Sequence, residues 1–231
     1  MAKDKQDETI IDVENVLSST EQYIEDNKQN LTTIIIVLVA IVGGYFGYKY
    51  LYLEGEEEMA SNEIFMAEKY YLNDSIQKAI NGDGIHMGLE EIVEDYGITK
   101  SGNLAHYYLG MCYLKSGRYE EAIDELNAFD GTDQIVAAQA IAAIGDAYME
   151  QGAYDEAITH YLKAAKYSTN SLTTPIFLRK AAIGNEDKRA YLVAIQLYER
   201  IKAEFPNSSE AQNADKYISR AKVKYGEGIY Q

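Results

Sequence analysis

Residues 109–123 read LGMCYLKSGRYEEAI, and residues 144–158 read IGDAYMEQGAYDEAI. Gly110, Tyr113, Gly117, Tyr119 and Ala122 return as Gly145, Tyr148, Gly152, Tyr154 and Ala157, each displaced by 35 positions. At the same displacement Leu126 is answered by Tyr161 and His106 by Ile141. Self-similarity at a fixed period of about 20–50 residues is the mark of a stack of supersecondary units. The residue types explain themselves if each unit is two helices joined by a tight turn. The Gly and the second-helix Ala are small where the helices cross, Tyr and Leu fill the space beside the crossing, and Gly117 and Gly152 turn the chain. A third window from residue 175 carries Leu178, Ala181, Ala182, Tyr191, Ala194, Tyr198, Ile201 and Pro206. It has Ala182 in place of Gly, Asn185 in place of Tyr and Arg189 in place of the turn Gly, so its first helix is expected to pack loosely.

This pattern resembles the tetratricopeptide repeat (TPR) family, whose consensus runs W-x2-L-G-x2-Y, then an Ala, an aromatic, another Ala and a terminal Pro. The resemblance implies an all-α solenoid of helical hairpins over residues 103–206. Residues 54–102 read as a degenerate hairpin of the same kind. Ile64, Phe65, Ala67 and Tyr71 would make one apolar face, NGDG at 81–84 a turn, and Gly88, Leu89, Ile92, Val93 and Tyr96 a second helix with Gly88 at the small position. Residues 207–231 read as a capping helix. Asn207, Ser208 and Ser209 supply an N-cap after Pro206, and Ser209 with Gln212 fits a capping box; Ala211, Ala214, Ile218, Ala221 and Tyr225 form the buried face, and Gly226 is the stop. Lys216, Arg220, Lys222 and Lys224 supply the polar outer face that the end of a solenoid needs.

Ahead of the repeats, residues 31–53 read LTTIIIVLVAIVGGYFGYKYLYL, with Lys49 their one charge. This is long enough to cross a bilayer as a helix, with Tyr45, Tyr48, Tyr50 and Tyr52 as an aromatic belt and Lys49 snorkelling to the same interface. The preceding residues 1–30 are acidic and no small-residue cleavage site follows, so a retained anchor is expected rather than a cleaved signal. Lys3, Lys5 and Lys28 before the span, against Lys49 after it, bias the N-terminus to the cytoplasm. Gly43 and Gly47 stand four apart, either as a docking face for another membrane helix or as ordinary membrane-helix glycines. Within residues 1–30, Ile10, Val13, Leu17, Thr20 and Ile24 make a helical stripe, expected to be either a cytoplasmic partner-binding helix or a marginal helix or disordered tail.

The formal net charge of −16 excludes a nucleic-acid partner, because phosphate backbones need Lys and Arg. The three histidines His86, His106 and His160 make no metal-ligand spacing, and the single cysteine, Cys112, reads as a core thiol. His106 stands at the repeat's Trp position, and His160 is expected to be exposed. No phosphate loop, nucleophile elbow or paired carboxylates in a pocket are legible, so no enzyme, cofactor, metal or small-molecule substrate is expected. In repeats of this type the first helices line the inner side. That register selects Tyr107, Met111, Leu114 and Lys115, then Ala142, Asp146, Met149 and Glu150, then Arg179, Ile183 and Glu186. Tyr107, Met111, Leu114, Asp146, Met149 and Arg179 are the peptide-groove candidates. The basic clamp that some TPR domains use for a terminal carboxylate is missing there.

A short leader (VENVLSSTEQYIEDNKQN), one anchor and a TPR domain together resemble the YfgM-like family of ancillary subunits of the bacterial SecYEG translocon. That resemblance implies a single-pass protein of the bacterial inner membrane with a periplasmic TPR domain. It would work with SecYEG, a periplasmic chaperone of the prolyl isomerase type, and unfolded clients. A scaffold subunit of another envelope assembly complex is the alternative.

Overall fold

The computed structural model describes residues 23–167 and 169–229. The leader stripe residues Ile10, Val13, Leu17 and Thr20, with Lys3 and Lys5, lie outside the described residues. The chain divides into two compact units, Met1–Gly55 and Glu56–Gln231.

In the first unit, helix α1 (Lys28–Gly47) has 20 residues, a rise of about 30 Å that matches a hydrocarbon core. It buries no side chain. Thr32 and Thr33 fold their hydroxyls back onto the carbonyls of Lys28 and Gln29, at 2.6 and 2.8 Å, so that both donors are satisfied within the helix. A wider π-helical segment follows at Tyr48–Leu53, a feature the sequence pattern does not announce. Among the described residues, this is the one helical stretch long and apolar enough to cross a membrane.

The second unit is all-α among the described residues. Helix α2 (Glu54–Leu72) buries Ala60, Ile64 and Ala67, spaced four and three apart as one helical face requires. Phe65 does not share that face. It falls about 100° round the helix from Ile64 and is 64% exposed. The expected two-helix hairpin also holds a third, short helix, α3 (Ile76–Asn81), with Ala79 and Ile80 buried. Six residues are too few to declare a period. Helix α4 (Leu89–Tyr96) begins after Gly88, which is small for a reason other than the one expected. A Cβ there would lie 2.1 Å from the carbonyl oxygen of Ile80, so Gly88 lets the chain cross the end of α3 instead of a helix pass a helix.

Three hairpins follow: α5 (Lys100–Lys115) with α6 (Tyr119–Ala128), α7 (Val136–Glu150) with α8 (Tyr154–Tyr167), and α9 (Thr174–Asp187) with α10 (Tyr191–Glu204). The crossings are as close as the small residues demand. A Cβ on Gly110 would sit 2.6 Å from Leu126, and one on Gly145 would sit 2.7 Å from the Tyr161 ring. The turn glycines Gly117 and Gly152 hold φ of +77° and +74°, and Arg189 takes the same left-handed conformation at +61°.

The third hairpin does not pack loosely. Phe177, Leu178, Ala181, Ala182, Asn185 and Glu186 of α9 are all buried. Its buried polar residues are satisfied inside: Asn185 Nδ2 donates to the Ala181 carbonyl at 2.8 Å, and Glu186 accepts from the Tyr198 hydroxyl at 2.8 Å and from Arg220 at 2.6 Å.

Helix α11 (Ser209–Ile229) closes the stack with Ala211, Ala214, Ile218 and Ala221. Its cap is Ser208, whose hydroxyl accepts from the Ala211 amide at 3.1 Å, whereas the Ser209 hydroxyl turns to Glu210. The helix continues through Gly226, and Tyr225 is 39% exposed, off the buried face. Within this unit, α2 is tied to the repeats by carboxylates. Glu57 accepts from the Lys100 and Ser101 amides at 2.6 and 3.1 Å, at the positive N-terminal end of α5. Glu68 accepts from the Tyr108 hydroxyl at 2.6 Å.

Candidate peptide groove

Asp146 lies in the last third of α7, one turn before Met149 and Glu150. Helical spacing therefore sets these three on one exposed side of a helix whose other sides are packed with alanine. On α9 the same logic places Arg179, Lys180 and Ile183 together. Between α7 and α9 lies an open groove of about 620 Å³. Its further lining is Leu114 from the end of α5, Tyr119 from the start of α6 and Tyr161 from α8.

An ion pair bridges the groove. Lys180 Nζ meets both oxygens of Asp146, at 2.7 and 2.6 Å. The Tyr161 hydroxyl donates to the same carboxylate at 2.8 Å. Burial, with the Asp146 charge beside it, pushes the Tyr161 phenol well above its ordinary value, so it stays a donor at any physiological pH. Arg179 is held loosely, 3.9 Å from Glu210.

Of the six groove candidates, Leu114, Asp146, Met149 and Arg179 meet here. Tyr107 and Met111 do not. They pack against the cluster of Leu126, Ala140, Ala143 and Ile144, with the Tyr107 ring 5.5 Å from that of Phe129. Three further register positions are also displaced. Ala142 is fully buried, Glu186 is 5% exposed inside the α9–α10–α11 core, and Lys115 leaves for Asp74 at 3.0 Å. Tyr119, Tyr161 and Lys180 were not anticipated as lining. Lys180 carries the charge opposite to that of Asp146, 34 residues after it, but no repeat register aligns the two. Gly43 and Gly47 lie four apart on α1, and a Cβ on either would meet open space.

The remaining chemical groups are structural. Cys112 is buried and its thiol is pushed up to about 12 by desolvation. His106 Nδ1 lies 2.7 Å from the Glu125 carboxylate. His160 is half-buried against Tyr148, with ring centroids 5.5 Å apart, and not exposed. Burial lowers its pKa, because a buried imidazolium would lose its hydration. Among the described residues, no group of three or more His, Cys, Asp or Glu is placed to hold a metal ion.

A tetratricopeptide repeat profile matches residues 104–128, and a second TPR repeat profile matches residues 145–172. Two crystal structures of nearly identical TPR-like repeats from a Podosopora anserina protein, described as a kinesin light chain, share the fold. Each has a TM-score of 0.57 and 17% identity over 72% of this chain. The matches cover 86% of one, a point variant, and 87% of the other. No curated protein matches the sequence. TPR repeats make a protein–protein interaction module, and no enzymatic family is indicated. The chain thus carries TPR repeats within an all-α, TPR-like helical-repeat fold.

Proposed function

We propose that this chain is a membrane-anchored TPR module that captures extended segments of other proteins in the groove between α7 and α9. The observation that carries the reading is the groove itself. Its lining combines the aliphatic side chains of Leu114, Met149 and Ile183 with ionic and phenolic groups. Methionine and branched aliphatic side chains adapt to varied apolar residues, while the polar edge orients a backbone. The apolar helix α1 serves as the anchor, with the N-terminus cytoplasmic and the repeats periplasmic in a bacterial inner membrane. Gly43 and Gly47 offer a face on which a partner's membrane helix can approach closely.

In its finer form the proposal is an accessory subunit of the SecYEG translocon. It would work beside a prolyl-isomerase-type chaperone and receive translocated envelope proteins. Anchoring at an exit site raises the local client concentration, so that a groove of modest affinity is sufficient. The resemblance of leader, anchor and repeats supports this form. The test is affinity purification of the full chain from gently solubilised membranes, with identification of bound proteins. Enrichment of SecY with an isomerase chaperone is the expected result. Recovery of a different envelope complex without SecY would overturn the translocon reading and leave a scaffold.

A further inference from the structure

We infer that the Tyr119 end of the groove selects a cationic side chain, so that the preferred occupant is an extended peptide with Lys or Arg beside an aliphatic residue. This deepens the peptide-groove reading and rests on it. The charged groups here are not equivalent. Asp146 is saturated by Tyr161 and by Lys180, which reaches both of its oxygens. Lys180 is thereby neutralised, and Arg179 faces Glu210.

Glu150 is different. It is exposed, lies one turn beyond Asp146 on α7, and has no hydrogen-bond or ion-pair partner among the described residues. Tyr119 also lines a second, adjoining concavity of about 300 Å³, and there Glu120 is likewise exposed and unpartnered. The cation in that concavity, Arg118, is already committed. It pairs with Glu121, lies 3.5 Å from Glu90, and stacks 3.9 Å from the centroid of Tyr113. Tyr119 therefore lines both hollows, each of which holds one uncompensated carboxylate.

An aromatic face beside carboxylates is attractive to ammonium and guanidinium groups and repels carboxylates. Leu114, Met149 and Ile183 then receive the neighbouring aliphatic side chain. Residues 56–231, which carry the groove, have a net charge of −11, so the long-range field has the same sign, drawing cationic segments in and turning anionic ones away.

The test uses the full chain in zwitterionic phosphatidylcholine nanodiscs, with empty nanodiscs subtracted. Two fluorescein-labelled ten-residue peptides share leucines and differ only in two lysines against two glutamates. The lysine peptide is expected to bind more tightly, and Glu150→Lys, at an exposed site, to weaken it roughly three- to tenfold, as reversing one rim charge does. Glu150→Gln should fall between the two. Equal binding of both peptides, or a lysine peptide indifferent to Glu150→Lys, overturns the selectivity. If that binding is nonetheless lost in a Met149→Asp variant that melts like the parent, the groove reading survives alone. Binding of neither peptide overturns both.

Discussion

Replacing Glu186 by alanine should unfasten the C-terminal end of the stack. The carboxylate is 5% exposed and is shared by three donors from two helices. The Tyr198 hydroxyl, on a fully buried side chain, lies at 2.8 Å, Arg220 at 2.6 Å and Lys224 at 3.4 Å. The three losses are unequal. Arg220 and Lys224 are nearly half exposed, so water takes over their solvation and each contributes only about 0.2–1 kcal/mol. Tyr198 has no such recourse, and a buried hydroxyl left without an acceptor costs about 1–3 kcal/mol. The sum is about 3 kcal/mol, or roughly 6–12 °C in Tm for a unit of this size.

The assay is thermal unfolding of the full chain, followed by circular dichroism. The stranded hydroxyl is isolated by a cycle with Tyr198→Phe, because removing both partners together should cost less than the sum of the single losses. A cycle that adds without coupling, or a Glu186→Ala loss below about 0.5 kcal/mol, would refute this account. The pH dependence has a definite sign. Burial alone would raise the Glu186 pKa, but the hydrogen bonds from Arg220 and Tyr198 overcome it and hold the group below its ordinary 4.5. Its contribution is therefore full above about pH 4.5 and is lost as the pH falls through the lower, folded value. Glu186→Ala should remove that part of the acid sensitivity.

Two other outcomes follow from local geometry. Arg189 holds φ of +61° where the other repeats use glycine. Arg189→Gly relieves about 1–2 kcal/mol of left-handed strain and gives back about 0.4–1 kcal/mol in unfolded-chain entropy. Calorimetry should show Tm rising by a few degrees, and a fall would mean that the arginine side chain holds the turn. Cys112, with its thiol pushed up to about 12 and no exposure, should react with an aromatic disulfide reagent at pH 8 only as the chain unfolds. Labelling of the native protein at the denatured rate would contradict its place in the core.

The repeat hairpins were legible in the sequence because their constraints are local and recur. Gly110 and Gly145 are small because a neighbour one helix away leaves no room, and that neighbour comes from the same 35-residue unit. The apolar stretch of α1 was legible for a simpler reason, since length and hydropathy alone qualify a helix to span a bilayer. Where the pattern was silent or misleading, the determining contacts come from elsewhere in the chain. Glu57 stands in sequence between two other glutamates, and only the fold brings the amides at the start of α5 to it. Asn185 reads as a departure from the repeat and Glu186 as a groove position, until α10 and α11 close over them and supply Tyr198 and Arg220 to Glu186.

The groove divides along the same line. Register alone named Leu114, Asp146, Met149 and Arg179. It could not separate these from Tyr107 and Met111, which occupy equivalent helical positions but meet Phe129 and the next repeat. Periodicity fixes which face of a helix a residue occupies. Which face is then covered, and which carboxylate keeps its charge unpaired, depends on side chains 30 or more residues away, as Lys180 against Asp146 shows. Period and hydropathy are therefore enough to specify the repeat, the helical hairpins and the apolar span. Which of the repeat's faces stays open to a partner is set by packing between distant segments, which no local pattern records.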